Sequence, residues 1–132
     1  MNKKIIAIVV VLVLLVAGFF AFQKTNTTGG VVNSPVKEFT INSYTEIIDG
    51  KYYPQFSPKE IVVNKGDLVR IKITNTKGTH DFKIDEFGVY TETPLNEEKI
   101  VEFVADKSGS FEYYCTKQGH RQAGHWGTLK VQ

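Results

Sequence analysis

Short apolar runs separated by turn residues fill the chain beyond residue 35, and this spacing constrains the fold most. Residues 68–74 alternate strictly, with Val69, Ile71 and Ile73 on one side and mainly polar side chains on the other. Such alternation is typical of a strand with one buried face. Further β-like runs lie at residues 36–48, where the alternation is partial, and at residues 60–63, 99–104 and 127–131.

The remaining segments carry turn residues or an irregular pattern. Residues 50–58 are interpreted as a turn-rich stretch, and residues 87–94 as irregular. Residues 82–94 have room for one helical turn at most, and no helix of ordinary length is expected after the N-terminus. Strands recurring roughly every ten residues with Gly, Asn and Asp turns predict an all-β sandwich or barrel over residues 36–132.

The N-terminus differs in character from the rest of the chain. Residues 5–22 form 18 consecutive apolar residues, preceded by Lys3 and Lys4. This length suits a short transmembrane helix or a signal peptide, and the two lysines place the N-terminus inside. A small-x-small cleavage site does not stand out, which favours a retained signal anchor over a cleaved peptide. Residues 23–35 then form a flexible tether, and the following domain lies outside the cytoplasm.

Charge and cysteine content exclude several classes of function. Without residues 1–22 the chain loses two lysines and no acid, so the formal net charge falls from +2 to 0. A neutral domain without a basic stripe gives no electrostatic basis for binding nucleic acid. One cysteine cannot form an internal disulfide, so its presence in an exported chain calls for another explanation.

That cysteine stands beside two of the three histidines. Cys115, His120 and His125 lie within eleven residues, and His80 lies upstream. Thiolate and imidazole together suit copper or zinc. A loop that leaves one strand at Cys115 and enters the next near Gly127 can curl around one ion.

The pattern Cys115-x4-His120-x4-His125, with His80-Asp81-Phe82 upstream, resembles the copper site of the cupredoxins. The resemblance extends over residues 56–131 and includes the approach to the cysteine at residues 108–115. It implies a Greek-key β-sandwich in which His80, Cys115 and His120 are the trigonal ligands of one copper ion.

The chain departs from the family at the axial ligand, which is usually a methionine. Its only methionine is Met1, and His125 occupies the axial position in the motif. Imidazole is a stronger donor than a thioether and favours the oxidised ion. We therefore expect His125 to complete the metal site, with a lowered potential and a green, yellow or red colour instead of blue.

The resemblance also suggests roles for residues around the ligands. Asp81 or Thr116 is expected to tie the two ligand loops together by hydrogen bonds. His120 is expected to reach the surface through an apolar patch formed by Gly119, Ala123 and Phe82.

These expectations favour a one-electron carrier over an enzyme, because a site with four protein ligands has no open position for substrate. The expected partner is an unidentified redox protein, and the chain is expected to be a monomer. Three alternatives stay open: a red-copper-like site that binds a small ligand such as nitric oxide, copper storage or delivery, and a closed zinc site. Hydrolysis by a Ser-His-Asp set is not expected, because it would consume a ligand histidine.

Overall fold

The computed structural model describes residues 35–132. The predicted anchor at residues 1–22 lies outside the described residues, as does the predicted tether apart from Pro35. Within the described range, no helix has the length and apolarity needed to cross a membrane.

Residues 35–132 form two sheets of four and five strands, which confirms the predicted all-β sandwich. One 3-10 turn at Asp85–Phe87 is the single helical element of this part of the chain, within the one turn that the sequence allowed. The strands are β1 (Val36–Ile48), β2 (Lys51–Ser57), β3 (Glu60–Val63), β4 (Leu68–Lys77), β5 (His80–Ile84), β6 (Val89–Thr93), β7 (Glu98–Val104), β8 (Gly109–Tyr114) and β9 (Trp126–Val131).

The two sheets have the strand orders β2-β1-β4-β7 and β3-β9-β8-β5-β6. Most neighbours are antiparallel, but β1 pairs with β4 and β3 pairs with β9 in parallel. In the second sheet, β8 and β9 are adjacent and antiparallel. The loop that joins them therefore closes over one end of the sandwich, next to the start of β5.

Strand β4 forms the centre of the first sheet and shows the predicted alternation. Val69, Ile71 and Ile73 are fully buried, and the side chains between them are only partly buried. The apolar face is turned to the second sheet because burial of three β-branched side chains is worth several kcal/mol, roughly 1.5–3 kcal/mol each.

Two strands were missed because they lie at sheet edges and contain turn-forming or polar residues. The stretch interpreted as turn-rich is β2, which pairs along its whole length with β1. Pro54 is tolerated there because β2 has a neighbour on one side only. The stretch interpreted as irregular contains β6, the edge strand beside β5.

An aromatic cluster fills the space between the sheets beneath the loop that carries the predicted ligands. Phe56 meets the rings of Phe82 and Tyr113 edge-on, at centroid distances of 5.6 and 5.7 Å. Gly127 allows this packing, since a Cβ there would lie 2.2 Å from the Tyr113 ring. Phe82 is fully buried. The expectation that Phe82 belongs to a surface patch is therefore wrong, because its position on β5 directs it into the core.

Candidate metal centre

The four predicted metal ligands meet at one end of the sandwich. His80 begins β5, Cys115 directly follows β8, and His125 directly precedes β9. Together with His120 they place one donor atom each within 4.8 Å of all the others. The structure thus brings together every residue that the sequence pattern indicated.

Backbone hydrogen bonds shape the loop between β8 and β9. The Cys115 amide donates to the His125 carbonyl at 3.1 Å, which extends the β8–β9 pairing by one step. The His125 amide in turn donates to the His120 carbonyl at 3.0 Å. Gly119 and Gly124 have φ values of 79° and 101°, a left-handed conformation that glycine adopts without strain. These features turn the loop back on itself, so that the donors of Cys115, His120 and His125 face the same point.

The Nδ1 atoms of His80 and His120 lie close to each other, and that of His120 lies close to the thiol. His80 Nδ1 lies 3.3 Å from His120 Nδ1, and Cys115 Sγ lies 3.5 Å from the same His120 atom. His125 Nδ1 is buried and has no hydrogen-bond partner in the described part of the chain. A buried polar atom is normally paired. This unpaired nitrogen, beside two imidazoles and a thiol, fits a metal ion that prefers nitrogen and sulfur donors, namely copper or zinc.

The opposite ring nitrogens of two histidines are held by groups from elsewhere in the fold. His80 Nε2 lies 2.8 Å from the Lys77 carbonyl and 3.1 Å from Thr45 Oγ1. His125 Nε2 lies 3.1 Å from Ser43 Oγ. The Lys77 carbonyl and the Ser43 hydroxyl thereby leave both Nδ1 atoms directed to the common centre.

Ser43 and Thr45 were not predicted from the sequence. Both belong to β1 and are two residues apart, so their side chains lie on the same face of the strand. They continue the inward face that begins with Phe39 and the buried Ile41. Two hydroxyls in a row on the apolar face of a strand were the signal that could have identified them.

The predicted tie between the two ligand loops is present. Asp81 is fully buried. It accepts the Thr116 amide at 2.6 Å with one carboxylate oxygen and the Thr116 hydroxyl with the other. Lys117 Nζ lies 3.6 Å from the second oxygen and compensates its charge. The residue after His80 therefore fixes the residue after Cys115.

Burial controls the protonation of the metal-free site. It lowers the pKa of His125 to about 3, with repulsion from His80 and His120 as further causes. It also lowers the pKa of His80 and raises the pKa of the Cys115 thiol to about 11. His80 and His125 are therefore neutral and the Cys115 thiol keeps its proton at pH 7, because an isolated charge would be poorly solvated there. Metal binding then has to displace the thiol proton.

His120 is the most accessible member of the group. It is partly buried, and it borders a cavity of about 510 Å³. Gly119 and Ala123 border this cavity as predicted, and the β1–β2 hairpin adds Ile47 and Tyr52. The side chains of the hairpin replace Phe82 as the apolar part of the surface around His120.

Arg121, the neighbour of His120, is held by the protein. Its Nε donates to Glu112 Oε1 at 2.7 Å, and its guanidinium lies 4.0 Å from the centre of the Tyr114 ring. These contacts fasten the outer side of the loop to β8.

Comparisons with known proteins agree with this geometry. Residues 6–126 match the family model of the cupredoxin-like domain. The chain is 39% identical over 71 residues to the nitrous-oxide reductase of Cupriavidus necator, and 36% identical over 67 residues to that of Stutzerimonas stutzeri. These matches cover 51% and 48% of this chain but only 11% and 10% of the two reductases.

Solved structures show the same fold. Auracyanin from Roseiflexus castenholzii superposes with a TM-score of 0.62 and 17% identity, covering 73% of this chain and 97% of auracyanin. Copper nitrite reductase from Nitrosomonas europaea gives a TM-score of 0.63 and 21% identity, covering 74% of this chain and 41% of the reductase.

Proposed function

Since this chain belongs to the cupredoxin-like family, we propose that it binds one copper ion and carries single electrons outside the cytoplasm. Family membership and the group of three histidines and one cysteine support copper binding. The proposed ligands are His80, Cys115, His120 and His125. The observation that carries the proposal is the convergence of these four donors, including a buried His125 Nδ1 without another partner.

The surroundings of the site favour electron transfer over catalysis. His80, Cys115 and His125 are almost completely buried, so substrate has no direct route to three of the four donors. Bound copper would supply a one-electron change between Cu(I) and Cu(II). The contacts of Ser43 and Asp81 hold the donors in place, which limits the rearrangement that accompanies such a change.

His120 is the proposed route for electrons into and out of the site. It combines a donor atom inside the cluster with a ring that borders the surface cavity. The proposed partner is a redox protein that approaches this surface. A formal charge of 0 for the chain without residues 1–22 argues for docking without strong electrostatic steering.

The direction of β1 bears on how a tethered domain would present its site. The strand begins at Val36, next to the predicted tether, and reaches the cavity beside His120 with Ile47. The eleven residue-to-residue steps from Val36 to Ile47 span about 36 Å of strand. If residues 1–22 are a retained anchor, as we propose, the copper site lies at the end of β1 that is remote from the point of attachment.

The cavity beside His120 favours one second candidate, a red-copper-like site that binds a small ligand such as nitric oxide. The cavity of about 510 Å³ offers space next to a ligand histidine. If His80, Cys115, His120 and His125 hold copper, a small ligand could reach the metal from this cavity, past His120. An exchangeable water on copper would distinguish this function from electron transfer.

The visible spectrum of the full chain loaded with Cu(II), measured together with the copper content, tests the proposal. We expect one copper per chain and strong thiolate charge-transfer bands, with more intensity at about 400 nm than at about 600 nm because the His125 imidazole would be a strong donor. Reversible reduction and rapid self-exchange are expected for a carrier. A colourless protein that retains zinc, or self-exchange too slow for turnover, would end the electron-transfer proposal.

A further inference from the structure

We propose that Ser43 is a positioning residue that keeps the proton of His125 on Nε2 and thereby leaves Nδ1 free to bind metal. The role in copper binding rests on the proposed function, whereas the position of the proton is a property of the metal-free protein. Ser43 belongs to neither ligand loop and does not touch the metal position.

The contact joins the two sheets in the interior of the sandwich. Ser43 on β1 and His125 before β9 are 82 residues apart in sequence, and both are fully buried. Their Oγ and Nε2 atoms are 3.1 Å apart. Within the described residues, this is the one hydrogen bond available to the His125 ring.

The position of the proton on His125 follows from this single hydrogen-bond partner. With the proton on Nε2, the ring donates to Ser43 Oγ and Nδ1 carries only a lone pair toward the cluster. With the proton on Nδ1, a buried N–H group would have no acceptor. Leaving a buried donor unpaired disfavours that tautomer by roughly tenfold or more. The Ser43 hydroxyl thus selects the tautomer that can bind a metal through Nδ1.

Packing keeps the plane of the His125 ring in place but does not determine which of its nitrogens carries the proton. The His125 ring lies 4.0 Å from the centre of the Phe56 ring and 4.4 Å from that of His80. Contacts with ring faces and edges do not depend on which nitrogen carries the proton. Ser43 supplies the directional contact that the aromatic packing lacks.

Thr45 provides a matched control from the same face of β1. Its hydroxyl lies 3.1 Å from His80 Nε2, the same separation as in the Ser43–His125 pair. His80 Nε2 also has the Lys77 carbonyl at 2.8 Å. The Thr45 hydroxyl is therefore redundant, and removing it should leave the His80 tautomer unchanged.

The experiment compares the full chain with its Ser43→Ala and Thr45→Val variants. In the metal-free proteins, ¹⁵N NMR of the imidazole nitrogens should show Nε2–H for His125 in the parent chain and in Thr45→Val. A mixture of tautomers is expected in Ser43→Ala. In Cu(II) titrations, Ser43→Ala should lose roughly 10–100-fold in affinity and gain intensity at about 600 nm relative to about 400 nm. Thr45→Val should change little in either measurement.

The outcomes separate this inference from the proposed function. A proton on Nδ1 of His125 in the parent chain would overturn the inference, and this result needs no variant to fold. The inference would also be overturned if Ser43→Ala folds and keeps the His125 tautomer, the copper affinity and the visible spectrum of the parent chain. An Nε2–H tautomer in a chain that binds no copper would refute the proposed function and leave the role of Ser43 in the metal-free protein intact.

Discussion

At the residue scale, the donor strength of His125 is expected to set the properties of the site. The variant His125→Met would replace a strong imidazole donor by a weak thioether donor. The site then loses less affinity for the reduced ion than for the oxidised ion, so the reduction potential should rise by about 60 mV or more. A shift of that size is equivalent to a tenfold change in relative affinity. Protein-film voltammetry measures the shift. The absorption should move to about 600 nm, and an unchanged potential would show that His125 does not bind copper.

The link between Asp81 and Thr116 gives a prediction for the metal-free protein. Thr116→Val removes the hydroxyl that donates to the buried carboxylate but keeps the amide that donates to its other oxygen. We expect the free energy of unfolding to fall by about 1–3 kcal/mol, because a buried charged acceptor loses a partner. Urea unfolding tests this. Thr40→Val, at an exposed position, is the control, and equal losses in both variants would contradict the assigned role.

At the element scale, charged side chains hold the outer face of the first sheet together and make its stability depend on pH. Glu38 on β1 accepts from Lys72 Nζ at 2.6 Å and lies 3.4 Å from Arg70 Nη1. Arg70 in turn binds Glu102 on β7 at 2.6 Å. The hydrogen bond from Lys72, supported by Arg70, lowers the pKa of Glu38 below its ordinary value of 4.5.

A lowered carboxylate pKa stabilises the folded state above the unfolded pKa, and this contribution is lost as the pH falls through the folded pKa. The parent chain should therefore lose more stability than Glu38→Gln when the pH falls from above 4.5 to well below it. The effect should be small, since exposed ion pairs are screened. Urea midpoints across a pH series measure it, with Glu98→Gln as the control. Parallel curves for the parent chain and Glu38→Gln would refute the prediction.

The elements also show what the sequence could and could not predict. Strand β4 was predictable because one face is buried between the sheets and the other is not, which imposes strict alternation. Strands β2 and β6 were missed because an edge strand is specified largely by its neighbour and tolerates residues such as Pro54.

At the scale of the whole molecule, the candidate site was predictable in its donors and in the tie between Asp81 and Thr116. Cys115 and the three histidines stand out because the chain has no others. Ser43 was not predictable as their support, since serine is common and its contact with His125 connects strands from different sheets. Phe82 was misplaced because it lies two residues further along β5 than His80 and on the same face, where its ring packs against Phe56 and Tyr113 in the core.

The site joins both sheets, so copper should stabilise the entire domain. His80 and the β8–β9 loop belong to the second sheet, and Ser43 on β1 holds His125 from the first. Unfolding separates the donors, so copper binds the native state preferentially, and a free concentration 1,000 times Kd adds about 4 kcal/mol. For a domain of this size, the melting temperature should rise by about 15 °C or more. Differential scanning calorimetry under anaerobic conditions, before and after chelation of the metal, measures the shift. Cys115→Ser removes the thiolate and should show a much smaller rise. An equal rise in both proteins would mean that copper stabilises the fold from a different position.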